Sequence, residues 1–349
     1  MEMLFINKLK PLLDAVAEKK LLYVPGGDAE HYTFARYDPS GSPDPEFNSI
    51  RVCSPVKEFV FPMREIAAVF PKSVSVRDPE PFAVFGLKNC DLKALEILDC
   101  VFKEEEFNDP FYSSRRENMF IISSDCSEPA ATCCCSMVDV EPFSKSGFDL
   151  NLSKIKDGFI VEIGSDNGGE FVKQHEKLFA NVPAAAVSER DKNRSQTQKK
   201  LEEINSEFEL SMPVSEIMEN STGSDVFDIE AKNCVERQAC TRICPTCHCF
   251  YLYDTRQEDY FSKMKMWDSC MRRDYARVAG GENPRKILGD RLRHRLMHKY
   301  VYFMERYGLD MCVGCGRCID TGIGEIDFRM VLKKLNEEIK GKKQANIAK

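Results

Sequence analysis

No run in these 349 residues approaches the ~20 consecutive apolar side chains that a membrane-spanning helix requires, and no apolar segment after Met1 reads as a secretory signal. An excess of positive charge is also missing. Lys and Arg number 49 against 56 Asp and Glu, a formal charge of −7, which argues against nucleic acid as the main partner. Neither V-P-G-G-D at 24–28 nor I-G-S-D-N-G-G at 163–169 has the G-x-G-x-x-G spacing that follows a strand and opens a helix, so no nucleotide-binding loop is read. The sequence therefore predicts a soluble, cytoplasmic chain whose thiols stay reduced. At this length two domains are expected, each with its own core.

Cysteine, by contrast, is plentiful: 16 residues, too sparse for a small disulfide scaffold but available as metal ligands. The stretch D-M-C-V-G-C-G-R-C-I-D at 310–320 sets Cys312, Cys315 and Cys318 at two-residue intervals. One short loop of that spacing can wrap a metal–sulfide cube, with Gly314 and Gly316 freeing backbone N–H groups to turn toward the sulfides. A fourth ligand is supplied by a Cys that precedes proline in the other motif, here Cys244 before Pro245. Cys244, Cys312, Cys315 and Cys318 thus form one complete [4Fe–4S] set.

In the N-terminal half, residues 1–20 show apolar positions at helical spacing, Leu21–Pro25 reads as a strand, E-F-V-F-P at 58–62 alternates, and a helix is expected from about Met63. The buried strand at 81–86 ends at Cys90, just before a helix for which Asp91 is the expected N-cap. A second strand at 119–124 leads to Cys126, then Cys133, Cys134 and Cys135. Four thiols within ten residues, with a fifth at a neighbouring strand end, predict a second cluster held by Cys90, Cys126, Cys133 and Cys135, with Cys134 facing away. A zinc site and free thiols are the alternatives.

The expected fold is an α/β N-terminal domain (1–186), a helical linker (187–230) and an α-helical C-terminal domain (231–349) around a two-loop ferredoxin-type core. The first loop, C-V-E-R-Q-A-C-T-R-I-C-P-T-C-H-C-F, has Arg237 where the ferredoxin spacing calls for Cys, and the second has Gly322. Both losses fall on the cluster of Cys234 and Cys240. Either that cluster is lost, or Cys247 and Cys270 complete it. Cys249 and His248 are further candidates nearby. The stretch 272–299 carries nine Lys and Arg against three Asp and Glu; it reads as a solvated helix that neutralises cluster charge, or as a docking face for an acidic electron carrier.

Taken jointly, P-V-K-E-F-V-F-P (55–62), F-G-L-K-N-C-D-L-K-A-L-E-I-L-D (85–99), D-P-F-Y-S-S-R-R (109–116), C-S-E-P-A-A-T-C-C-C-S-M (126–137), C-P-T-C-H-C-F (244–250), W-D-S-C-M (267–271), G-G-E-N-P-R (280–285) and C-V-G-C-G-R-C (312–318) resemble a family. It is the family of iron–sulfur electron-transfer subunits represented by the A subunit of anaerobic sulfite reductase and the β subunit of sulfhydrogenase. The resemblance implies a subunit relaying electrons between a flavin-containing, NAD(P)H-oxidising partner and a terminal reductase or hydrogenase, while the cysteine spacings predict two [4Fe–4S] clusters, or three where the cluster of Cys234 and Cys240 is kept. The chain departs from the family's pattern at Arg237 and at Gly322-Ile323, where Cys and Cys-Pro are usual. Two other readings stand beside it: a reductase subunit binding a small anion such as sulfite at an incompletely ligated cluster, and a zinc-bearing interaction module.

Overall fold

The computed structural model describes residues 2–27, 32–41, 47–71, 79–256 and 258–347. Residues 42–46, within the polar stretch 37–49, and the last two residues, 348–349, lie outside them. Ten strands are described: β1 (Met3–Ile6), β2 (Leu21–Gly26), β3 (Thr33–Arg36), β4 (Arg64–Phe70), β5 (Phe82–Leu87), β6 (Met119–Ser124), β7 (Leu150–Ile155), β8 (Gly158–Ile163), β9 (Phe250–Arg256) and β10 (Phe261–Trp267). They divide between two compact units, one within 1–61 and 75–203, the other within 62–74 and 204–349.

The first unit is a seven-stranded sheet in the order β1-β8-β7-β6-β5-β2-β3. Its centre, β2, β5, β6 and β7, is parallel, and its edges are antiparallel. All six residues of β5 and of β6 are buried, as expected of strands covered on both faces. Because β5 and β6 lie side by side and parallel, their carboxyl ends deliver Cys90 and Cys126 to the same edge. Residues 1–20 do not form the single helix their spacing suggested. Pro11 lacks the N–H a longer helix would need, so the helix begins at Lys10, and Met3–Ile6 pairs with β8 instead.

The helix Asn89–Phe102 starts earlier than expected. Lys88 is the N-cap, and Asp91 sits three residues in, its carboxylate accepting the Lys88 N–H at 3.2 Å. The stretch read as a linker contributes the 20-residue helix Ala186–Asn205. Its inward stripe is Arg190, Arg194, Thr197 and Leu201, spaced as one helix face but polar, which apolar periodicity cannot detect. Arg194 pairs with Asp125 at 2.7 Å and with Glu162 at 2.5 Å, while Arg190 pairs with Glu162 at 2.9 Å.

The second unit is not purely helical, as the sequence suggested. It contains a three-stranded antiparallel sheet in the order β4-β10-β9. The expected strand at 58–62 is a helical turn, Lys57–Val60, and the expected helix from 63 is β4. Pairing of β4 with β10 overrides the local preference of R-E-I-A-A-V-F. The helix Leu288–Met297 continues through a π turn, His298–Tyr302, into Phe303–Tyr307 and stops at Gly308, φ +72°. The final helix, Phe328–Ile347, buries Phe328, Val331, Leu332, Leu335 and Ile339 along one face. Among the described residues no helix is long and apolar enough to cross a membrane.

Candidate metal centres

In the first unit, Cys126, Cys133 and Cys135 lie close enough to influence one another electrostatically, and Cys90 and Cys126 both act on the Lys88 ammonium. Cys133 and Cys135 pack with Leu201, and Cys134 between them is also buried. Burial pushes the Cys126 thiol up to about 12, opposed by Lys88, and raises Cys135 well above its ordinary value. Ligation here therefore has to displace protons. Lys88 is 2% exposed; its Nζ donates to the Asn48 carbonyl at 2.6 Å, Ser124 Oγ at 2.8 Å and the Asp125 carbonyl at 2.9 Å. Burial lowers its pKa to about 8, with Cys126, Asp125 and Cys90 opposing the shift. Asn48 is itself held by the carbonyls of Gly86 and Ile50. Gly86 has φ +85°, and a Cβ there would meet Asn48 Oδ1 at 2.6 Å, so the close approach requires glycine.

In the second unit, one small cavity is lined by all four members of the complete set, Cys244, Cys312, Cys315 and Cys318, together with Lys299 and Arg295. The loop that carries three of them turns at Gly314, φ +60°, and Gly316, φ +72°. Lys299 is 3% exposed; its Nζ is 3.4 Å from Cys244 Sγ and donates to Thr246 Oγ1 at 3.0 Å. Arg295 donates to the Cys240 carbonyl at 3.2 Å, and its Nε has no hydrogen-bond partner among the described residues. Arg291, Arg295 and Lys299, four residues apart, form a buried cationic stripe. Three of the nine cations in the basic stretch are thus turned inward, whereas Arg273, Arg277 and Lys286 remain exposed.

The Cys244 thiol is held well below its ordinary pKa by the hydrogen bond from Cys247, aided by Lys299 and Arg295 against the cost of burial. Burial raises Cys318 to about 12, with Arg295 opposing it, and also raises Cys312. Buried cations facing a set of thiols fit an anionic, thiolate-held cluster, for which a lone buried ammonium would otherwise be costly. Among the described residues no group of three or more His, Cys, Asp or Glu side chains converges as it would on a single metal ion.

The remaining candidates divide. Cys234 and Cys240 line a second cavity with Arg237, Gly322 and Arg295, and Cys247 and Cys270 are not among its walls. The Arg237 guanidinium donates to the Thr321 carbonyl, joining the two loops at the places where ligands were expected. Cys247 and Cys270 lie instead with Cys249: the Cys270 thiol bonds Cys249 and faces Cys247. His248 Nδ1 lies 3.1 Å from the Thr246 carbonyl, and its ring packs edge-on against His298 with centroids 5.5 Å apart.

Residues 233–326 match the 4Fe-4S dicluster domain family. Over 318 residues the chain is 31% identical to sulfhydrogenase 2 subunit beta of Pyrococcus furiosus, with 89% of this chain and 92% of the relative covered. The chain belongs to this family of iron–sulfur electron-transfer subunits. The dicluster match spans both cysteine loops, and so includes the positions where Arg237 and Gly322 stand. Lys88, Arg295 and Lys299, the cations that face the thiols, were not singled out individually from sequence. Their signal was weak, a Lys two residues before Cys90 and a basic i, i+4, i+8 pattern.

Proposed function

We propose that this chain is the electron-relay subunit of a hydrogenase-like complex, carrying electrons between a flavin-containing, NAD(P)H-oxidising partner and a terminal hydrogenase or reductase. The observation that carries this reading is the convergence of Cys244, Cys312, Cys315 and Cys318 on one cavity beside the buried Lys299 and Arg295. A [4Fe–4S] cluster bound there would supply one-electron chemistry. What the chain contributes is thiolate donors, positive charge to offset the added electron, and a largely enclosed site that keeps solvent from the core. In the first unit, Cys90, Cys126, Cys133 and Cys135 are the donors for another cluster, with Lys88 taking the part of Lys299.

The complexed form of the Pyrococcus relative is implicit in its name as a beta subunit, and 31% identity over nearly the full length supports the same subunit role here. The test is anaerobic capture of the native chain with its partners. Addition of NADH or NADPH to the captured complex should bleach the iron–sulfur absorption, whereas the isolated chain should not respond. A chain recovered alone, or one that bleaches alone with a pyridine nucleotide, would count against the relay.

A further inference from the structure

We propose that the outer edge of β9 is the docking site for an extended segment of a neighbouring subunit, which joins the sheet as a fourth strand beside the cysteine loop. The inference rests on the reading of the chain as one subunit of a complex and names the surface by which it is joined. In the sheet of the second unit β10 is central, so β9 and β4 are both edges. Half of the large apolar side chains left exposed among the described residues lie on or beside this small sheet. Phe250, Leu252, Phe261 and Phe70 are 43%, 54%, 50% and 72% exposed. They share one face, because Phe250 pairs with Trp267, Leu252 with Lys265 and Phe70 with Phe261, and those three residues of β10 alternate along the strand. Apolar side chains gathered in this way mark a surface that another chain covers.

The two edges differ. β4 carries a bulge: Ala68 pairs with Lys263 and Ile66 with Met264, which leaves Ala67 as an extra residue that twists that edge. β9 pairs with β10 in one unbroken register from Phe250 to Arg256. Its first four residues, Phe250-Tyr251-Leu252-Tyr253, hold no charge, and no proline interrupts the strand. That half therefore lacks the charge, proline or bulge by which an edge is kept from pairing. The strand pair runs straight into the cysteine loop, since the Asp268 N–H donates to the Cys249 carbonyl at 2.8 Å. Phe250 follows Cys244 by six residues, at most about 20 Å of chain, so a strand added here brings its own subunit up to the proposed cluster. Residues 251–266 lie outside the stretches that carry the family resemblance.

A second copy of this chain does not fit the edge. Two copies of β9 would pair antiparallel about a two-fold axis at one residue of the strand. Centred on Leu252, Tyr253 or Asp254, the pairing sets a charged side chain, Asp254 or Arg256, against Phe250 or Leu252. Centred on Tyr251, it matches Phe250 with Leu252 but engages only the first three residues of the strand; centred on Thr255, it matches Asp254 with Arg256 and leaves the apolar half open. A foreign strand that is apolar opposite Phe250 and Leu252 and acidic opposite Arg256 matches both halves. Asp254 already has a cation in Lys263 at 2.6 Å, whereas the Arg256 guanidinium lies over the Phe261 ring, 5.9 Å from its centroid.

The test uses the complex captured anaerobically through the full chain, with wild type beside Leu252→Asp and Leu252→Ile. Leu252 is exposed, so both variants should keep the iron content and unfolding of the wild-type chain. Leu252→Asp should recover about tenfold less of the partner subunit, and Leu252→Ile as much as wild type. In the wild-type complex the backbone amides of residues 251–256 should exchange with solvent about tenfold more slowly than in the isolated chain, with those of β4 unchanged. A photo-crosslinking side chain placed at Leu252 should join a partner segment that has the apolar and acidic pattern above. Undiminished recovery with Leu252→Asp, unprotected β9 amides in the complex, or a cross-link to a second copy of this chain would overturn the proposal and leave the relay reading intact. A wild-type chain recovered alone would remove the proposal together with the reading beneath it. The exchange measurement needs no variant, so it decides the matter even where Leu252→Asp fails to fold.

Discussion

Replacing Lys299 by methionine removes the ammonium group that faces Cys244 while keeping most of the side-chain volume. Burial alone would lower the Lys299 pKa, but Cys244, Cys247 and Cys312 outweigh it and hold the pKa above the ordinary value, so the group stays charged throughout the working pH range. Its Nζ is 3.4 Å from Cys244 Sγ. At an effective dielectric of ~20, two full charges at that separation interact by about 5 kcal/mol. In the proposed cluster, the electron added on reduction would be shared with four thiolates; with about a quarter of it on the Cys244 side, the lysine would favour the reduced state by roughly 1.2 kcal/mol. For a one-electron couple this corresponds to roughly 50 mV. Lys299→Met should therefore lower the midpoint potential of one cluster by that amount, and Lys299→Arg should lower it much less. The assay is an anaerobic redox titration followed by electron paramagnetic resonance. Coincident titration of the two variants with wild type would refute the electrostatic role.

Three further outcomes follow from the geometry. Arg194→Ala leaves Asp125 and Glu162, both largely buried, without their shared cation, and should destabilise the first unit by about 3–5 kcal/mol in denaturant unfolding; a change under about 1 kcal/mol would mean the pairs are solvated in practice. Burial holds His298 neutral, its pKa lowered to about 3, with His248 and Lys299 adding to the effect. Since the unfolded chain takes up that proton near pH 6.5, the group's contribution is present above that pH and is lost as the pH falls toward 3. At pH 5 this amounts to about 2 kcal/mol, so His298→Phe should flatten the decline in stability between pH 6.5 and 5, and an unaltered decline would assign it to other groups. Gly316→Ala must adopt φ +72°, which should cost about 1–2 kcal/mol and slow cluster incorporation; iron uptake at the wild-type rate would show that the loop can turn without glycine.

The legible part of the molecule was the part in which chemistry fixes spacing. Cys312, Cys315 and Cys318 are two residues apart, the spacing by which one loop can present three thiols, and Cys244 precedes proline, so the four residues that line one cavity could be named without knowing the fold. The strands ending near Cys90 and Cys126 were legible for a different reason: fully buried parallel strands leave continuous apolar runs. Elements defined by partners distant in sequence were not. β4 lies nearly 200 residues from β10, and nothing local in R-E-I-A-A-V-F announces that pairing. The helix Ala186–Asn205 packs through Arg190 and Arg194, so its buried face looked like a solvated one. The hairpin of β9 and β10 was missed, and with it the reason why Cys249 and Cys270 meet. The Arg237–Thr321 contact likewise joins residues 84 apart, visible only once the two loops are folded together.

The most direct test of the central claim is the iron content and reduced-state paramagnetic resonance of the Cys315→Ser chain beside wild type, both purified without oxygen. If Cys244, Cys312, Cys315 and Cys318 hold a [4Fe–4S] cluster, the variant should contain about four fewer irons and lose one cubane signal while the others persist. Unchanged iron and an unchanged spectrum would contradict the account.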